Sequence, residues 1–149
     1  MRRYFLFILL IAALFAQQGS EFLIITHDDF APAIQKLAQW KYMKGIQTRV
    51  KKLSEIGNNP TASMIRDSIV QWYNTWVPQP QYLLLVGDIN FLPLGQTSPC
   101  NSDNYYANMT GDFKAELSVG RFPCRTLQQC STMVKKVLAY EKTIQEWIR

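Results

Sequence analysis

The stretch Tyr82-Leu-Leu-Leu-Val-Gly-Asp88 constrains the fold more than any other part of the chain: five apolar residues run without a break and close on Gly-Asp. Unbroken apolar character, as opposed to alternation, describes a strand covered on both faces, and such strands lie in the middle of parallel sheets. Pro78 and Pro80 precede the run and Pro93 follows it, which leaves too little length for a buried helix. In open parallel sheets the functional crevice lies beyond the carboxyl ends of the strands. Asp88 and the loop over residues 89–100 therefore fall where chemistry is to be sought.

The remaining elements follow from the same kind of pattern. Phe22 to Thr26 reads as a second buried strand, with His27, Asp28 and Asp29 at its carboxyl end. Asp29 is placed to cap a helix in which Pro32 occupies the first turn and Phe30, Ala33, Ile34, Leu37 and Ala38 recur at helical spacing. Gly45 stands where a left-handed residue ends such a helix. Ile46 to Leu53 alternates loosely, as a strand nearer an edge, with Lys51 and Lys52 suited to exposure. Asn59 and Pro60 open a helix carrying Ile65, Ile69, Trp72 and Trp76 on one face.

Beyond the central strand, residues 89–103 are irregular, Tyr105 to Ala107 reads as an extended piece, and Leu117 to Gly120 as a further buried strand. Thr126 and Gln129 form a capping box ahead of a helix whose Leu127, Cys130, Val134, Val137, Leu138 and Ile144 share a face. Strands alternating with helices predict an α/β fold, a parallel sheet with right-handed crossovers and helices on both faces, in three layers.

The first residues have another character. Met-Arg-Arg, then the thirteen uncharged apolar residues Tyr4 to Ala16, then Gln-Gln-Gly-Ser, read as a secretory signal peptide occupying residues 1–19, with cleavage after Ala16. The apolar run is shorter than the ~20 residues a membrane span requires. Residues 20–149 form one domain-sized unit. The 149-residue chain carries 16 Lys and Arg against 11 Asp and Glu, and without Arg2 and Arg3 the excess is only +3 and scattered, which excludes a nucleic-acid footprint. Three cysteines, Cys100, Cys124 and Cys130, allow at most one internal disulfide.

Four stretches together resemble the gingipain-type cysteine peptidases: Phe22-Leu-Ile-Ile-Thr-His-Asp-Asp-Phe30, Tyr82-Leu-Leu-Leu-Val-Gly-Asp88, Ser102-Asp-Asn-Tyr-Tyr-Ala107 and Ser118-Val-Gly-Arg-Phe-Pro123. Their order and spacing are similar to the first subdomain of that family's catalytic region. The resemblance implies a caspase-like sheet and proteolysis by a Cys nucleophile and a His base held in a second subdomain that follows this one. No catalytic residue is carried over onto this chain. The partners so implied are a protein or peptide substrate and the adjoining subdomain. Where relatives carry an Asp-Gly-Asp loop followed by Pro-Asp, this sequence has Met109-Thr-Gly-Asp112 and Ala115-Glu116, which weakens any inherited metal site.

Several residues admit a sharper reading beside a plain structural one. His27 and Cys124, each after a strand, could meet as a local nucleophile–base dyad, although no third orienting residue is evident. Asp28, Asp29 and Asp88 echo the acidic pocket of phosphate-accepting receiver domains; structurally, Asp29 would cap a helix and Asp88 would accept N–H groups of its own loop. Asp103, Asp112 and Glu116 supply oxygen ligands of the type a structural calcium ion takes. Cys130 reads as a small core residue. Arg121 is expected to pair with a loop carboxylate. Asn108-Met-Thr110 fits a glycosylation sequon. The alternatives to a peptidase subdomain are a sortase or transpeptidase relative of a secretion system and a non-catalytic α/β binding module.

Overall fold

The computed structural model describes residues 19–96, 100–112 and 114–147, with side chains as far as residue 143. Residues 1–18 of the expected signal segment, with its cleavage point, and the Ile144 side chain lie outside these limits.

Four strands, β1 (Phe22–Thr26), β2 (Thr48–Lys52), β3 (Tyr82–Val86) and β4 (Ser118–Phe122), form one parallel sheet in the order β2-β1-β3-β4. The two central strands are the two apolar runs. Alternate residues along them feed opposite cores: Leu23, Ile25, Leu83 and Leu85 point to one side, Ile24, Leu84 and Val86 to the other. All five residues of each strand are in register across the pair, from Phe22 with Tyr82 to Thr26 with Val86, which sets Leu23 beside Leu83, Ile24 beside Leu84 and Ile25 beside Leu85. Burial on both faces is what a continuous apolar strand requires, because either face left in water would forgo ~25 cal/mol for every Å² exposed.

Helix α1 (Ala31–Met43) follows β1 and covers one face with Ala33, Ile34, Leu37 and Ala38. Pro32 lies in its first turn, as expected. Gly45, at φ 84°, closes it: Gly45 N–H donates to Tyr42 O and Ile46 N–H to Lys41 O, the paired bonds of a left-handed helix stop. The short α2 (Leu53–Ile56) and then α3 (Ala62–Thr75) cover the other face, the latter capped by Thr61 Oγ1 accepting from Met64 N–H. Ile65 and Ile69 are fully buried, and Trp72 stacks on Trp76 just past the helix end, centroids 5.3 Å apart.

Helix α4 (Leu127–Trp147) returns to the α1 side. One carboxylate ties the two helices, Glu141 accepting from Trp40 Nε1 at 2.8 Å and from Lys41 Nζ at 2.5 Å. Cys130 and Val134 are buried, with Val137 and Leu138 packed beside them, but Leu127 is 46% exposed and does not share their face. The expected capping box forms with an offset: Thr126 Oγ1 accepts from Gln129 N–H, while Gln129 Oε1 accepts from Arg125 N–H, one residue before the cap.

Three expectations are corrected in detail. Tyr105 to Ala107 is not extended; Asp103–Tyr106 is a 3-10 turn that buries Tyr106 completely. The last strand is a half-buried edge, not a buried strand, and it runs on through Arg121 and Phe122. Asp29 caps no helix: the 3-10 turn Asp28–Phe30 precedes α1 and is capped by His27, whose Nδ1 accepts from Asp29 N–H at 3.3 Å.

Candidate functional site

The winding of the chain fixes where a site can be. From β1 the connection passes through α1 on one face to β2; from β2 it passes through α3 on the other face and returns beyond β1 to β3. The segments leaving the carboxyl ends of the neighbouring strands β1 and β3 therefore diverge to opposite faces. Between them opens a cleft of about 590 Å³, lined on one side by His27 and Asp28 and on the other by the loop after Asp88. This is the switch point at which open parallel sheets bind their ligands.

The three carboxylates at this end of the sheet have separate surroundings. Asp28 Oδ1 accepts from Ser54 Oγ at 2.5 Å and its Oδ2 from Ser54 N–H at 3.2 Å, joining the end of β1 to α2; the hydroxyl bond holds its carboxyl below the usual carboxylate range. Asp88 is buried, and the Arg125 guanidinium at 2.5 Å, aided by the Ile89 N–H, likewise lowers its pKa. Asp29 is exposed, 3.5 Å from His27 Nδ1. The three carboxylates are thus dispersed among Ser54, Arg125 and His27, and no acidic pocket of the receiver type is assembled. As expected, Asp88 takes an N–H of its own loop; Arg125 is the additional partner.

Arg121 is the organising cation. Its guanidinium grips Asp103 through Nε at 2.8 Å and Nη2 at 2.7 Å, and its Nη1 donates to Gly87 O and Leu92 O, both at 2.8 Å. One side chain thereby ties β4 to the turn after β3 and to the 3-10 turn at Asp103. Gly87 sits at φ 132°, and a Cβ there would come within 3.2 Å of Phe91, so the turn into this loop requires glycine. Arg121 pairing with a loop carboxylate is as expected from the sequence.

His27 and Cys124 do not form a dyad. The His27 ring packs against Phe30 and Phe91, centroids 5.6 and 4.8 Å away, with Nδ1 held by Asp29. Cys124 is fully buried beside Cys130 in the cluster under α1 and α4, and burial pushes its thiol up. Cys130 is pushed up to about 12 for the same reason. Thiols so held are core residues, not nucleophiles. Cys100 is exposed.

The three oxygen-bearing residues are not brought together either. Asp103 faces Arg121, whereas Glu116 accepts from Met109 N–H at 2.6 Å and Thr110 Oγ1 at 2.9 Å, and Asp112 Oδ1 accepts from Lys114 N–H. Among the described residues no three His, Cys, Asp or Glu side chains gather as a metal would require. Asn108 of the sequon is engaged in the same turn: its Nδ2 donates to Asp112 O and its Oδ1 accepts from Gly111 N–H.

Sequence reasoning missed Ser54, Arg125 and Arg66, the last donating to Tyr105 O at 3.2 Å and Asn108 O at 2.7 Å. No periodic signal marks them, because each acts across a separation of 26 or more residues.

Fold and site together define a caspase-like α/β scaffold: a parallel sheet with a switch-point cleft, whose described residues hold no nucleophile–base pair. The chain belongs to Peptidase family C25, whose profile matches residues 15–149. It is 29% identical over 129 residues to Gingipain R1 of Porphyromonas gingivalis, covering 86% of this chain and 13% of that protein, and 28% identical to Gingipain R2, covering 18% of it. The crystal structure of the Arg-specific cysteine proteinase gingipain R superposes with a TM-score of 0.76 at 27% identity, over 83% of this chain and 29% of that one. Dimeric latent PorU of the same organism, 19% identical with a TM-score of 0.69, shares the fold. The chain thus spans less than a fifth of the length of these curated relatives.

Proposed function

We propose that this chain is the N-terminal part of an exported gingipain-like cysteine endopeptidase, supplying the sheet scaffold and one wall of the substrate cleft while the Cys nucleophile and His base lie in an adjoining subdomain. The observation that carries this reading is the family match over residues 15–149 combined with the fate of the local candidates: Cys124 is sealed in the core and His27 serves as a cap. A protein or peptide is the substrate of the whole enzyme, and the adjoining subdomain is the partner of this one. Export follows from the basic start and the apolar run Tyr4 to Ala16, with a bacterial secreted or surface location.

The test is an assay of this chain on casein and on short peptides with Arg, Lys or apolar residues before the cut, beside a protein extended by the adjoining subdomain. No turnover by the chain and alkylator-sensitive turnover by the extended protein are expected. Turnover by the chain that disappears in Cys124→Ala would overturn the reading. Mass spectrometry of exported material should find a start near Gln17; an intact Met1 in a membrane fraction would replace export by anchoring.

A further inference from the structure

The switch-point cleft has a chemical character that the peptidase reading alone does not specify. No Lys or Arg lines it, and its carboxylate, Asp28, already holds two bonds from Ser54. Asp28 stays ionised there and no Lys or Arg offsets it, so an anion would find no counter-charge, which disfavours an acidic ligand. What the walls do offer is amides, Asn58 and Asn59 after α2 and Asn90 after β3, all three exposed. Each primary amide both donates and accepts, the complement of the alternating N–H and C=O groups along an extended peptide. Between them lie the apolar surfaces of Ile89, 52% exposed, and of Pro60 and Phe91. A solvent-exposed isoleucine at the mouth of a polar cleft is a ready contact for an apolar side chain. A neutral sugar would also satisfy amides, but sugars stack on open aromatic platforms, and Phe91 is packed edge to face with His27 and Phe30, at 62° and 73°.

We propose that the cleft between the ends of β1 and β3 is a subsite for an extended peptide segment free of acidic side chains, with Asn58, Asn59 and Asn90 pairing with its backbone and Ile89, Phe91 and Pro60 receiving an apolar side chain. The proposal rests on the peptidase reading above and adds to it the substrate segment that this wall engages. Preorganisation comes from the frame already described: Asp28–Ser54 fixes the α2 wall, and Arg121 on Gly87 O and Leu92 O fixes the β3 wall.

The experiment is a titration of the full chain, isotope-labelled, with acetyl-Ala-Leu-Ala-Leu-Ala-amide, followed by NMR. The side-chain amide signals of Asn58, Asn59 and Asn90 are expected to shift saturably, with a Kd on the order of 1 mM. A peptide carrying Asp in place of Leu should bind about tenfold more weakly, and the Asn90→Asp variant, altered at an exposed position, should lose about tenfold while melting at the same temperature. No saturable shift, shifts clustered elsewhere, or equal binding of the Asp-containing peptide would overturn the proposal. Binding is read without turnover, so an extended protein lacking thiol-dependent proteolysis would sink the peptidase assignment while the amide shifts still report the subsite.

Discussion

Arg121 shows how much one side chain can decide. Its side chain is only 10% exposed and serves one carboxylate and two carbonyl groups belonging to two other segments. Replacing it with Met would leave Asp103 and both carbonyls without their donor, and breaking a largely buried pair costs about 3 to 5 kcal/mol. Arg121→Met should therefore lower the urea midpoint by that equivalent, with Arg121→Lys intermediate because an ammonium cannot fork onto both oxygens of Asp103. Equal midpoints for Lys and wild type would show that the fork does not matter. The carboxylates set the acid limb of stability. Asp28, Asp88 and Glu116 all have lowered pKa values, through Ser54, Arg125 and the Met109 N–H respectively. A group depressed in the folded state contributes stability above its unfolded value, about 4, and loses it as pH falls through the folded value. Urea midpoints should accordingly be level from pH 7 to pH 5 and drop below about pH 4. Asp88→Asn should flatten that drop, and an unchanged acid slope would remove Asp88 from the account.

At the level of elements, the segment between β3 and β4 is the informative one, because it carries the structure that sequence periodicity does not describe. Its fold is set by a buried tyrosine: Tyr106 is fully enclosed, its hydroxyl donates to Pro93 O at 2.5 Å, and burial raises its pKa. Tyr106→Phe keeps the ring but orphans the carbonyl, so a loss of about 1 to 3 kcal/mol is expected by denaturant unfolding. The neighbouring Gly95 bridges Ser102, and a Cβ there would fall 2.1 Å from the Tyr105 side chain. Gly95→Ala should cost about 1 to 3 kcal/mol through overpacking. A neutral result for either substitution would mean that the loop holds together by other contacts. The central strands and long helices needed no such detail, since their apolar periodicity alone selects strand or helix and the face to be covered.

For the whole molecule, the exposed flank of β4 is the unresolved liability. Its burial is only partial, and among the described residues no strand pairs with its outer side. Unpaired N–H and C=O groups along a parallel edge invite association. A protein spanning residues 17–149 should therefore self-associate in analytical ultracentrifugation, and addition of the adjoining subdomain should relieve it. A monodisperse monomer melting cooperatively well above ~65 °C, beyond the usual mesophile range, would contradict the edge argument.

The sequence by itself determined the α/β class, both core strands, the helix stop at Gly45 and the family, because these depend on local periodicity, on backbone conformations only glycine accepts readily, and on motifs of contiguous residues. It also pointed to a carboxylate partner for Arg121. Only the tertiary structure decided which carboxylate that is, that Asp28 binds Ser54 and Asp88 binds Arg125, that Cys124 is sealed away from His27, and that Asp103 stands apart from Asp112 and Glu116. The reason is physical: a side chain's partner across 18 to 37 residues is chosen by how the four strands lie side by side in the sheet, and that neighbour relation leaves no periodic trace along the chain.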